Sequence, residues 1–324
     1  MPDRPRYVDA RSPWLATLIA LVGLGVTLAF DLSALVTIAL LFVVIVPFEK
    51  FFPRHRQRIP RPLLGTDLAY AIASAPLGAF GVIVGLVLSL VSLAWLPGLL
   101  LRPLVAAVPA APRAILGILL FDVGVYWAHR FGHEIPFMWR FHKIHHSTEH
   151  LDWVSGFRGH PLDGVILAPA FVLLLVAGFD PQFSGALVVI QVVTGLFLHA
   201  NVRWRWRPLH RVVITPEFHH WHHSNELDAR CTNYSVFLPV WDMLFGTYFM
   251  PRGRRPSRYG IDDPVSRGIV GQLWDPFRGL RNPIRQLRHP RRTARECFTM
   301  MRRGLRQARA SAGRHRWGFV HSRS

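Results

Sequence analysis

The stretch HRFGHEIPFMWRFHKIHH, residues 129–146, holds five histidines in eighteen positions directly after an apolar run. Seventeen histidines occur in the chain, and nine of them form an ordered set: His129 and His133 (HxxxH), His142, His145 and His146 (HxxHH), His199, then His219, His222 and His223 (HxxHH again). A random chain of this composition would show an HxxHH about 0.05 times. On a helix, positions i, i+3 and i+4 share one face, so each HxxHH is expected to aim three imidazoles into one volume and HxxxH two. That is ligand spacing for a metal. Zinc commonly takes four ligands, so eight or nine neutral imidazoles imply two ions. No thiolate set or EF-hand-like carboxylate cluster accompanies them, which argues against iron–sulfur, calcium and zinc-finger chemistry. Imidazole suits iron, zinc, copper and nickel alike, so the spacing leaves the element open.

Histidines outside these boxes read differently. Isolated ones such as His55, His150, His210, His289, His315 and His321 are expected to be solvated or titrating side chains. His199 ends an apolar run where the boxes must meet and is expected to join them. His160, in FRGHP, either binds metal, orients a ligand or caps the turn before Pro161. His220 lies off the face of the second HxxHH and is expected to pack. Asp122 sits inside an apolar helix, where a charge costs roughly 2.5–3.5 kcal/mol on insertion scales and needs a partner. It shares a stripe with Tyr126, His129 and His133 at i, i+4, i+7 and i+11, so it is expected to steady that helix and to reach a ligand through a hydrogen bond. A polar interhelical contact unrelated to metal is the competing reading.

The elements that carry these residues look membrane-embedded. Apolar residues make up 51% of 324 and charged residues 18%, and mean hydropathy is +0.24, a balance too poor in charge for an ordinary soluble surface. Residues 14–30 and 32–48 are uncharged runs separated only by Asp31. Together they exceed one crossing of a hydrocarbon core near 30 Å, so a hairpin is expected. Residues 68–101, interrupted by Pro76 and Pro97, and 114–128 predict a second hairpin. Residues 162–179 and 183–198, flanking an FDPQF turn, predict a third, shallower or re-entrant one. A second apolar run follows the first at once, which argues against a cleaved signal peptide.

Arginines before the first run (Arg4, Arg6, Arg11), after the second (Lys50, Arg54, Arg56, Arg58, Arg61) and after the last (Arg203, Arg205, Arg207, Arg211) place those loops, and with them the histidine boxes, in the cytoplasm. The expected fold is therefore all-α: a polytopic membrane protein with two transmembrane helical hairpins, a further membrane-associated hairpin and a cytoplasmic histidine-rich helical cap. Its expected divisions are 1–113 (membrane spans and loops), 114–250 (histidine boxes) and 251–324 (a basic cytoplasmic tail). Of the net charge of +19, +15 lies beyond residue 251, where Leu280, Ile284, Leu287, Phe298, Met301 and Leu305 fall among the arginines at helical spacing. A solvated tail and adhesion to an anionic leaflet are both open. Nothing else resembles a nucleic-acid recognition fold. The two cysteines, Cys231 and Cys297, give no sign of a disulfide. Only two lysines stand against 36 arginines among the 38 basic residues, a composition that hints at a bacterial inner membrane.

The ordered boxes, with DVGVYWAHR before the first, then FRGHP, LHANV and HHSNELDARCTNYSVFLPVWDMLFGTY, resemble the fatty acid hydroxylase superfamily, which includes sterol desaturases, lipid hydroxylases and alkylglycerol monooxygenase. The resemblance covers roughly residues 115–250. It implies a non-haem di-iron site that uses O2 and externally supplied electrons to hydroxylate or desaturate a lipid. Carried over by position, it implies His129, His133, His142, His145, His146, His219, His222 and His223 as ligands and His199 as the additional histidine. Asp228 and Asn233 match the D and NY positions after the last box, with a supporting role. NYS stands here where NYG is common. The chain carries no Rossmann fingerprint, haem box or ferredoxin-like cysteine set, so the electrons are expected from a separate protein, a cytochrome b5-like protein, a ferredoxin or a reductase. A zinc-dependent membrane lipid hydrolase and a non-enzymatic membrane metal carrier are the alternative readings. Which lipid is altered, and whether by hydroxylation or desaturation, is not legible in the sequence.

Overall fold

The structure is a computed structural model and describes residues 33–278 apart from 59, 94, 167, 205 and 206. The 14–30 run, Arg205 and the basic residues 279–324 with Cys297 lie outside the described residues. Among the described residues eleven α-helices, with a few short 3-10 turns, make up the regular structure: α1 Ser33–Phe51, α2 Leu64–Ile72, α3 Ser74–Val91, α4 Leu96–Ala107, α5 Ala110–Glu134, α6 Pro136–His146, α7 Ala168–Val176, α8 Pro181–Leu198, α9 Pro216–His222, α10 Val240–Phe245 and α11 Ile269–Trp274. Among the described residues there is no β-strand, only the isolated bridges Pro53–Val202 and Ser224–Tyr259.

Three of these helices, α3, α5 and α8, are long and apolar enough to cross a membrane, and their outward residues are apolar, with Ile83 62%, Val91 75%, Ile115 61% and Val189 62% exposed. The expected 68–101 run is divided. Ala73, at φ −85° and ψ 2°, separates α2 from α3, and Leu93, at positive φ, separates α3 from α4, while Pro76 sits in the first turn of α3 and Pro97 opens α4, positions where a missing N–H costs little. The 162–179 run is a 3-10 turn, Pro161–Ile166, followed by the nine-residue α7. Nine residues rise only about 14 Å, so this arm is the short one, while α8 is long and apolar enough to cross.

Close approach between these helices relies on small residues. A Cβ at Gly81 would lie 2.3 Å from the carbonyl oxygen of Pro161, and one at Gly85 would lie 2.6 Å from Cβ of Ala168. The resulting core joins Val105, Phe121, Val125, Leu174, Phe179 and Leu187 from α4, α5, α7 and α8.

Local signals set the ends of the helices that bear histidines. Ile135 is extended and Pro136 starts α6, which turns the chain back so that α6 packs on α5. Asp180 caps α8 by accepting from the N–H groups of Gln182 and Phe183 at 2.8 and 3.0 Å. Thr215 caps α9 through Phe218 N–H, with Pro216 at its first position. The stretch 251–278, expected to begin the tail, is instead folded: Val265 and Ile269 pack with Tyr70 and Ile144.

Candidate metal centre

The nine histidines of the ordered set meet, and they divide into two groups. His129, His133, His142, His146 and His222 form one; His145, His199, His219 and His223 form the other; within each, one potential ligand atom per residue lies within 4.8 Å of all the rest. The groups adjoin, since the rings of His146 and His223 stack at 4.2 Å with 19° between planes.

The expectation that each HxxHH aims all three imidazoles into one volume is corrected here. In α6 the i and i+4 residues, His142 and His146, enter the first group while the i+3 residue, His145, enters the second. In α9 the pattern is reversed: His219 and His223 belong to the second group and His222 crosses to the first. Positions i+3 and i+4 diverge by about 100° around the helix. Two volumes flanking the helix therefore take one each.

Hydrogen bonds fix which ring nitrogen carries the proton. Nδ1 of His129 donates to the carbonyl of Tyr234 (2.7 Å), that of His145 to Arg158 (2.9 Å), that of His199 to Gly195 (2.6 Å) and that of His222 to Thr232 (2.9 Å). His142 Nδ1 donates to Oδ2 of Asp163 at 2.9 Å. Carbonyl and carboxylate oxygens have no proton to give, so in these five rings Nε2 is a bare lone pair. Yet Nε2 of His199 lies 3.2 Å from Nε2 of His145, which sets lone pair against lone pair. That contact repels unless a cation lies between. His133 Nε2 and His223 Nδ1 are likewise buried without a partner. The donor set, all neutral nitrogen and oriented from behind, fits a pair of transition-metal ions.

Electrostatics agree. Burial, and after it the neighbouring imidazoles, pushes His145 down to about 4 and His199 to about 3, and holds His146, His219, His222 and His223 well below the ordinary histidine value. These rings stay neutral in water at neutral pH, the form that binds metal.

A buried ionic network braces this arrangement. Arg158, whose carbonyl orients His145, donates through Nε to Asp67 at 2.6 Å; Arg61 pairs with the same carboxylate at 2.7 Å and with Asp152. Gly156 lets the chain pass close behind the ring of His199: a Cβ there would lie 3.1 Å from His199 Nδ1, tighter than an ordinary contact.

Other residues singled out in the sequence fall elsewhere. Asp122 makes no hydrogen bond to a histidine; its carboxylate accepts from the backbone N–H of Phe237 and Leu238 and from Trp241 Nε1, the interhelical alternative rather than the ligand contact. His160 uses both nitrogens, donating from Nε2 to Leu273 and accepting at Nδ1 from Leu162 N–H, so it caps the turn. Asp228 is an exposed partner of Arg254. Asn233, at φ +59°, bonds the backbone of Phe218 and Phe249 and so seats the box-bearing α9. His220 packs against Arg54 and Tyr259. Asp163 was not singled out; an acid standing three residues after His160 in an otherwise apolar run was the available signal.

From the histidines an apolar cavity of about 590 Å³ runs between α3, α5 and α8. Phe121, Val125, Phe171 and Val188 line it, and His129, His142, His145, His199 and His219 form its root. Val82 and Val192 both line it and are more than half exposed, so it opens sideways on the apolar surface.

Fold and site together define a class: a helical, membrane-associated protein whose cavity ends in a doubled polyhistidine centre. Residues 114–247, the segment that carries both histidine groups, match the family model described as fatty acid hydroxylase. The chain is 35% identical over 170 residues to the ornithine lipid hydroxylase OlsE of Rhizobium tropici, covering 52% of this chain and 51% of that one. It is 28% identical over 153 residues to the alkylglycerol monooxygenase of Homo sapiens (47% and 33%) and 27% over 139 residues to a Delta(7)-sterol-C5(6)-desaturase of Nicotiana tabacum (41% and 48%). The chain thus spans about half or less of the length of these curated relatives. No solved structure matches it.

Proposed function

We propose that this protein is an O2-dependent lipid hydroxylase or desaturase with a non-haem di-iron centre, held by His129, His133, His142, His146 and His222 on one side and His145, His199, His219 and His223 on the other. The observation that carries the reading is the junction of two all-imidazole groups with an apolar cavity open toward lipid. An unactivated C–H bond resists attack by metal-bound hydroxide, and when bound, a redox pair of irons supplies the O2 activation that it requires. The relatives named above, which act on an ornithine lipid, alkylglycerols and sterols by their descriptions, support a lipid as substrate.

The chain's own residues do the rest. The apolar walls at Phe121, Val125 and Val188 exclude water and align a hydrocarbon chain with the histidines at the root. Asp163 and the carbonyls of Arg158, Gly195, Thr232 and Tyr234 hold five rings in the tautomer that turns Nε2 inward. Gln191 on the α8 wall and Ser74 on the α3 wall are polar side chains in the lining, available to a polar group of the substrate. Electrons come from a separate donor, a cytochrome b5-like protein, a ferredoxin or a reductase. The protein sits in a bacterial inner membrane with the histidines on the cytoplasmic side, where donor and lipid approach from different phases.

Elemental analysis of detergent-purified protein tests the reading. About two irons per chain are expected, with oxygenated or desaturated lipid appearing only when a donor system is added. A zinc-loaded protein that hydrolyses lipid without O2 would overturn it.

A further inference from the structure

Beyond the metal centre, residues 236–245, VFLPVWDMLF, take a position the sequence does not suggest. They follow the last histidine box in a stretch expected to be cytoplasmic, yet they lie against the middle of the spanning helix α5. Phe237 stacks on Phe121 with centroids 6.2 Å apart, and Phe245 packs on Tyr126 at 5.3 Å and on Trp127 at 4.9 Å. Positions 121–127 lie 7–13 residues before the end of α5 at Glu134, or about 10–20 Å along its axis. Counted from Arg130, the charged position at the histidine end of α5, they lie about 5–14 Å along the axis, within a hydrocarbon layer near 30 Å thick. Val236 and Phe237 also pack into the core formed by α4, α5, α7 and α8, so the segment is part of the spanning bundle.

Its outward side is apolar. Val240 is 41%, Met243 39% and Leu244 67% exposed. Several backbone N–H groups in and just before it are met by buried carboxylates. Asp122 takes the N–H groups of Phe237 and Leu238, and Asp242 takes those of Tyr234 and Ser235 at 2.8 Å each. Irregular backbone at membrane depth is tolerated only when its polar groups are met within the protein, and these two buried carboxylates accept four of its N–H groups and those just before it. The presence of each acid in an apolar run is thereby explained.

We infer that residues 236–245 form a re-entrant segment that dips into the bilayer beside α5, with Val240, Met243 and Leu244 in contact with lipid acyl chains. The occupant of this surface is lipid because the exposed apolar patch stands beside α5, a helix long and apolar enough to cross a membrane, against which Phe245 packs at Tyr126 and Trp127. The histidine-bearing helices are then seated in the membrane by an anchor on the far side of the box sequence from α8. The inference does not depend on the reaction proposed above.

Labelling with an environment-sensitive fluorophore tests it in the full chain, reconstituted in phosphatidylcholine vesicles. In a background with Cys231 and Cys297 changed to Ser, single cysteines are placed as Leu244→Cys and Met243→Cys, with Leu227→Cys, 82% exposed, as the aqueous control. Labels at 243 and 244 are expected to be quenched by lipids brominated along the acyl chain severalfold more than the label at 227, and to be shielded from iodide. Iodide quenching equal to that at position 227 would overturn the inference. So would protection from both quenchers, which would mean that protein, a second copy or a partner, covers the patch.

Discussion

Asp163 stands behind His142: its Oδ2 accepts the Nδ1 proton of that ring at 2.9 Å, the one side-chain carboxylate hydrogen-bonded to a histidine of either group among the described residues. Partners of this kind orient a metal-binding ring and raise its basicity, and losing one typically costs about 10–100-fold in metal affinity or activity. Asp163→Ala is expected to show a loss of that size in a chelator-competition titration. Asp163→Asn, which keeps an accepting oxygen, should lose less. Equal losses would mean that the negative charge, not the hydrogen bond, matters.

The division of each HxxHH between the two groups gives a distinctive metal count. His145→Ala is expected to weaken the second group alone, leaving about one ion per chain of about two. His145→Ala/His146→Ala, adjacent in sequence, should damage both and lower the count further. Elemental analysis of both proteins decides: a double variant that matches the single one would place the neighbours on the same ion.

Protonation should unfold the metal-free protein from within. His145 at about 4 and His199 at about 3 lie below the value near 6.5 of an unfolded histidine, so between those limits the unfolded state binds more protons. Stability is therefore full above about pH 6.5 and falls as pH drops toward 4, by on the order of 1 kcal/mol per pH unit for each such ring. Thermal unfolding of the chelator-treated protein at pH 7 and pH 5 checks this. Bound metal, which competes with the protons, should flatten the dependence.

Two glycines of α8 leave room in the cavity. Gly185 and Gly195 both line it, and a Cβ at either meets nothing within 4 Å. Gly185→Leu and Gly195→Leu should fold, since leucine improves helix propensity by about 0.8–1.0 kcal/mol, and retain metal. Their product profile should shift toward shorter or slimmer chains, more strongly at Gly195, which lies one turn from His199. Lipid mass spectrometry of expressing cells reads this out, and an unchanged profile would remove the cavity from the substrate path. Gly156→Ala is the contrast: its Cβ would press on His199 and should lower metal content.

Asp122→Ala separates support from ligation. Three buried donors lose their acceptor, at about 1–3 kcal/mol each, so the unfolding temperature should fall steeply. The protein that remains folded should keep its metal, because no hydrogen bond joins Asp122 to a histidine.

Much of this site was legible. Histidine is rare enough that two HxxHH boxes and an HxxxH in order name their own residues, and the apolar runs gave α3, α5 and α8. The division of the boxes was not legible, because helical periodicity says which residues share a face and not how many volumes lie beneath it. The stripe from Asp122 to His133 was real as a stripe, but Asp122 spends its lone pairs on chain 115 and 116 residues away, which local spacing cannot reveal. The same holds for Asp163 and for the carbonyls of Arg158 and Thr232, whose role depends on where the backbone passes. The 162–179 run was legible as a shallower arm but not in its detail: Pro161, Gly164 and Pro169 go with a 3-10 turn and a short helix.

The crossing of His222 into the group of α6 also bears on how the molecule is made. Translation delivers the boxes in order, and a nascent chain that has passed residue 146 already owns four of the five rings of the first group but only His145 of the second. The second group waits for α8 and α9, and His222 then closes the first across 76 residues from His146. The two halves of the centre thus have different birthdays, and a ribosome stalled between residues 146 and 199 would hold a nearly finished cradle for one ion beside the bare beginning of the other.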